Sequence, residues 1–182
     1  MNPALERVLQ EVHANDLEIR HRAVGQIGLL LEKNTAISGT VDSYKDLLDD
    51  DLFTLKLDVS EQQRLVAELC NLIASDKMTI GMLWALGKAD RTISIRPLFE
   101  IIRNQSRTFG EEALWQTLVT LDNVIILSGT AAKLQEQNRL IDEYGIIDWL
   151  YGLEHLRDPR VPEKILGLKA AIRDSKGYKY VE

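Results

Sequence analysis

With 182 residues, a net charge of −6 at pH 7 and 45% hydrophobic against 27% charged residues, the chain has enough apolar material to bury a core of its own. The same balance excludes disordered, collagen-like and low-complexity readings, since it holds only 11 Gly and 4 Pro. The acidic excess disfavours broad capture of nucleic acid or anionic lipid, which needs clustered cations, and points to basic partners.

Apolar residues recur three and four positions apart along most of the chain, and Phe53 to Val59 is the only stretch that alternates like a strand. The fold class expected is therefore all-α. A first helix near Pro3 to Ala14 carries Leu5, Val8, Leu9 and Val12 on one face. A second follows a cap at Asn15-Asp16 and runs to about Lys33, with Ile19, Ala23, Ile27 and Leu30 inward. A second pair opens at Ser60, with Gln63 at capping-box spacing, on a stripe of Leu65, Val66, Leu69, Leu72 and Ile73. Its partner follows Asp76.

The third pair opens near Ile95-Arg-Pro97, since proline suits a first helical turn. Thr108 and Glu111 then have capping-box spacing ahead of Ala113, Leu114, Leu118 and Leu121. A polar helix, about Ala131 to Tyr144, reads as an insertion. The fourth pair begins near Ile146, and its second helix follows Asp158-Pro159 with Val161, Ile165, Leu168 and Ile172. These elements describe a single domain over residues 1–182: about four stacked helix pairs, with insertions near 35–59 and 128–143.

The stretch Leu83-Trp-Ala-Leu-Gly87-Lys-Ala-Asp90, followed by Pro97-Leu98, resembles the junction between HEAT repeats, including the short repeats of phycobilisome-lyase-like proteins. Asp158-Pro-x-Val161 and Asp16-x-x-Ile19-Arg20-x-x-Ala23 resemble the start of that family's second helix. Pro162 and Thr79 depart from its pattern. The resemblance implies an α-α superhelix, a right-handed HEAT- or armadillo-like solenoid, whose role is most often protein binding.

No constellation for chemistry emerges from the sequence. His13, His21 and His155 stand apart from any metal-ligand spacing, and Cys70 falls on an apolar helix stripe, as a buried thiol would. Gly25 and Gly28 lie inside a helix pattern with no strand before them, so close helix packing explains them better than a phosphate loop. No enzyme activity, cofactor or metal is expected. A lone cysteine suits a reducing compartment such as the cytoplasm, and no apolar run reaches the ~18 residues a membrane helix needs.

Two features point to a protein partner. Between Val41 and Glu61 seven acidic residues face two basic ones, a local charge of −5, with Asp46, Asp49, Asp50 and Asp51 at its centre. Such a patch reads either as a solvated acidic surface insertion or as a docking patch for a basic partner. On the helix after Thr108, Trp115, Val119 and Ile126 form a second stripe beside Glu112 and Asp122, an anchor with an acidic rim if it is not core. The reading is a non-enzymatic binding module, in a narrower form an immunity-type protein covering a basic toxin. The alternative is a HEAT-like enzyme or chaperone subunit, bilin-lyase-like or, if Arg20, Arg22, Arg103 and Arg107 cluster, DNA-glycosylase-like.

Overall fold

The computed structural model describes residues 2–35, 44–126 and 129–177. Among them the regular elements are ten α-helices with short 3-10 segments, and no strand. The alternating stretch from Phe53 instead closes a one-turn helix and continues as coil to Asp58. The chain divides into two compact units, Met1–Ser94 and Ile95–Glu182.

In the first unit, α1 (Pro3–Glu11) starts on Asn2, whose Oδ1 accepts from Ala4 N at 2.9 Å, and buries Leu5, Val8 and Leu9 as the spacing demands. Asp16 begins α2 (Leu17–Thr35) by accepting from the amides of Glu18 and Ile19. The short α3 (Asp50–Phe53) packs on both α1 and α2. Helix α4 (Val59–Ile73) opens two residues earlier than Ser60 suggested. Asp58 accepts from Glu61 N at 2.8 Å while Glu61 accepts from Asp58 N at 3.1 Å, and Ser60 only donates to Asp58. Helix α5 (Ile80–Leu86) follows Thr79 rather than Asp76, and it lies against both α2 and α4. Gly28 and Trp84 make the α2–α5 crossing close.

Helix α6 (Arg91–Gln105) begins well before Pro97, because Asp90 Oδ1 accepts from both the amide and the hydroxyl of Thr92. Pro97 thus sits inside the helix, at the cost of one backbone hydrogen bond. A 3-10 turn, Ser106–Thr108, absorbs the residue expected to cap the next helix. Helix α7 (Glu111–Val124) starts on Gly110, and Thr108 Oγ1 donates back to Gln105 O at 2.8 Å.

The remaining elements of the second unit are α8 (Ala131–Glu143), α9 (Ile146–Gly152) and α10 (Arg160–Gly177), with α10 packed on α7, α8 and α9. The segment read as a polar insertion contributes to the core. Leu134, Leu140 and Ile141 of α8 are buried, and the buried Gln137 amide brackets Ile126, accepting from its N at 2.8 Å and donating to its O at 3.0 Å. Asn138 and the buried Ser175 tie α8 to α10 through hydrogen bonds of 3.0 and 3.3 Å. No helix of the described residues is long and apolar enough to cross a membrane.

Candidate functional site

The acidic segment is held on the first unit by its apolar residues and by backbone hydrogen bonds. Leu48 and Leu52 are buried, so the intervening Asp49, Asp50 and Asp51, with Asp46 before them, are turned outward and exposed. Gln26 of α2 brackets the segment with both ends of its amide, donating to Leu47 O at 3.0 Å and accepting from Asp49 N at 2.9 Å. Asp42, counted with this cluster, lies outside the described residues.

A buried lysine completes the frame. The ammonium of Lys33, a residue 7% exposed, donates to Phe53 O at 2.5 Å and Leu55 O at 2.7 Å, carbonyls left free after α3, and at 3.3 Å to Leu52 O, which also accepts from the Leu55 amide at 3.1 Å. It also lies 5.5 Å from the Phe53 ring centroid. Burial, and secondarily Lys56, hold its pKa below the usual lysine value. The sequence offered one signal for this role: Lys33 stands three residues after the buried Leu30, where a polar group must find partners.

The acids are not all free. Arg7 of α1 bridges Asp49 and Asp51 at 3.1 and 3.0 Å. All three side chains are over 40% exposed, so this bridge is screened and replaceable. Asp46 and Asp50 have no partner among the described residues. The result is a fixed arc of carboxylates with one arginine already seated on it.

In the second unit, Glu112, Trp115 and Val119 do share one face of α7, and α10 reaches that face. The Arg160 guanidinium lies 4.5 Å from the Trp115 ring centroid and 3.6 Å from Glu112, while Lys164 pairs with Asp122 at 2.8 Å. Arg160 is itself oriented by Asp158, whose carboxyl is held below its usual range by that side-chain bond and by the Arg160 amide. Trp115 and Val119 are half-buried, and Ile126 is buried. The anchor and its acidic rim are thus engaged from within the chain, through residues more than 40 positions away that the pattern of α7 could not reveal.

The arginines considered for nucleic acid divide between the units. Arg20 and Arg22 lie on α2, Arg22 pairing with Glu11 at 3.4 Å, whereas Arg103 and Arg107 face a groove of the second unit. Trp84 and Trp149 are half-buried, as is Cys70. His13 pairs with Glu68 at 2.7 Å. Among the described residues no three His, Cys, Asp or Glu side chains gather as a metal site would require. Set against known protein families and curated protein sequences, the chain matches none.

Proposed function

We propose that this chain is a non-enzymatic protein-binding module, a HEAT-like α-solenoid of helix pairs, whose acidic arc at Asp46, Asp49, Asp50 and Asp51 receives a basic surface of another protein. The observation that carries the reading is the frame beneath the arc: Gln26, Lys33, Leu48 and Leu52 fix the segment before any partner arrives, so little ordering entropy is lost on binding. Exchange of Arg7 for a cation of the partner would leave the carboxylates in place. A narrower form, an immunity-type protein, would have the arc cover the cationic active site of a toxin.

The test is association kinetics against the partner captured from the source cell and then purified. Replacing Asp46, Asp49, Asp50 and Asp51 with Asn should slow association and flatten its dependence on salt while helix content stays unchanged. Parental rates across the salt range would show that the arc is ordinary solvated surface. Inhibition of a purified toxin by the parent, lost in the Asn variant, would support the immunity form.

A further inference from the structure

The second unit holds a groove of about 680 Å³, and nothing in the acidic-arc reading uses it. Its walls come from the end of α6, the 3-10 turn, the start of α7 and α9, and its volume lies in the range of small-molecule sites, about 300–1,000 Å³. The lining is apolar and aromatic at its centre, with Phe109, Leu114, Trp149 and Leu153. Gly110, Gly145 and Gly152 border it, and a Cβ at any of the three would meet nothing within 4 Å, so the backbone itself faces open space.

Two parts of this lining are set in advance. Trp149 Nε1 donates to Ser106 Oγ at 3.0 Å, and Ser106 Oγ in turn donates to Ile102 O at 2.5 Å, which fixes the indole plane. The Arg103 guanidinium stacks 4.3 Å from the centroid of Tyr144, whose hydroxyl donates to Glu100 at 3.2 Å and whose ring packs edge-on against Phe99. Stacking occupies the face of a guanidinium and leaves its edge donors free.

The charges give the ligand its sign. Arg103 and Arg107, four residues apart, both face the groove, and neither pairs with a carboxylate among the described residues. They reach it from different elements, Arg103 from the last turn of α6 and Arg107 from the 3-10 turn that follows. Glu111 and Asp148 also line the groove, but they stand on separate elements, in the first turns of α7 and α9, where helix amides complement a negative charge. The last turn of α6 complements Arg103 in the same way, so what sets this arginine apart is that Tyr144 holds it by its face, leaving edge donors that bond no carboxylate among the described residues.

We propose that this groove binds a small amphipathic organic anion, with its apolar body against Trp149, Phe109 and Leu153 and its acid group on Arg103 and Arg107. The inference stands on a different unit and different residues from the acidic arc, so either can fail alone.

The experiment titrates the full chain with two fluorescent probes of nearly the same body, 8-anilinonaphthalene-1-sulfonate and the uncharged N-phenyl-1-naphthylamine. The sulfonate should bind saturably at one site, about tenfold or more tighter than the neutral probe, because a charge-assisted bond to arginine accounts for that factor. Decanoate should displace it. The double variant Arg103→Gln with Arg107→Gln should bring the sulfonate down to the affinity of the neutral probe and leave the latter unchanged. Gly152→Leu, which fills the groove, should weaken both. Arg107→Gln alone, at an exposed position whose side chain makes no hydrogen bond or ion pair among the described residues, keeps the test decisive should the other variants lose helix content; it should weaken the sulfonate and not the neutral probe. Unsaturable binding, equal affinity for the two probes, or indifference to Arg107→Gln would overturn the proposal. So would displacement by an acidic peptide but not by decanoate, which would make the groove a seat for a protein segment.

Discussion

Gly28 of α2 and Trp84 of α5 meet with no space between them: a Cβ at Gly28 would stand 2.2 Å from the indole ring. The ring is flanked by Lys88, 5.3 Å from its centroid and paired at 2.5 Å with Glu32 of α2, so it cannot retreat without disturbing a second contact. Gly28→Ala should therefore destabilise the protein by about 1–3 kcal/mol through overpacking. Gly25, on the same helix, has nothing within 4 Å of an added Cβ. There Gly25→Ala should stabilise by about 0.5–1 kcal/mol, since a helical glycine carries excess chain entropy in the unfolded state. Urea midpoints of the two variants should move in opposite directions; a common direction would mean that the crossing is looser than described.

This pair also shows what the sequence could disclose. Close packing, expected of both helical glycines, holds at Gly28 and not at Gly25, whereas the apolar stripes of α1, α4 and α10 announce their buried faces through the 3.6-residue period. Helix starts were less legible. Asp58 displaced Ser60, and Asp90 displaced Pro97, because each aspartate offered a carboxylate acceptor a few residues earlier on the chain. The core role of α8 was hidden by its polar composition. Its stripe of Leu134, Leu140 and Ile141 acquires meaning only once Gln137 and Asn138 are seen to find buried partners on Ile126 and Ser175. The groove behind Arg103 and Arg107 joins residues some 40 positions apart, and no local period encodes such a meeting.

Lys33 supplies the second prediction. Lys33→Met keeps most of the length of the side chain but leaves the carbonyls of Phe53 and Leu55 without their donor, while Leu52 O keeps the Leu55 amide at 3.1 Å. Unsatisfied buried carbonyls cost about 1–3 kcal/mol, so global stability should fall by that order. Amide hydrogen exchange should quicken most between residues 49 and 57, where the frame of the acidic arc is released. Uniform quickening across the first unit would show that Lys33 supports the whole unit rather than this segment.

The third prediction concerns acid. The Asp58 carboxyl is held below its ordinary value, first by the Glu61 amide and then by the Ser60 hydroxyl. Its stabilisation is therefore present above the unfolded value, near about 4, and is lost as pH falls through the lower folded value. Asp58→Asn retains a capping oxygen without the charge. The stability gap between parent and variant should be widest above about pH 4 and close below it, as read from urea midpoints along a pH series. A gap independent of pH would remove the charge from the explanation of this cap.

The last prediction asks whether Trp115 is free for a partner. Arg160 lies over its ring while also touching Glu112 and Asp158, so the first turn of α10 acts as a cover on the second stripe of α7. Removing the cover with Arg160→Ala should expose the indole to water, shifting tryptophan emission to the red and raising its quenching by acrylamide without altering helix content. The chain has three tryptophans, so the assignment needs a cycle: in a Trp115→Phe background the same Arg160→Ala change should leave emission where it was. With a partner in hand, Trp115→Ala should leave dissociation nearly unchanged in the parent, because the ring is spent on Arg160. Fast dissociation of that variant would show instead that the partner displaces Arg160 and uses Trp115 as its anchor.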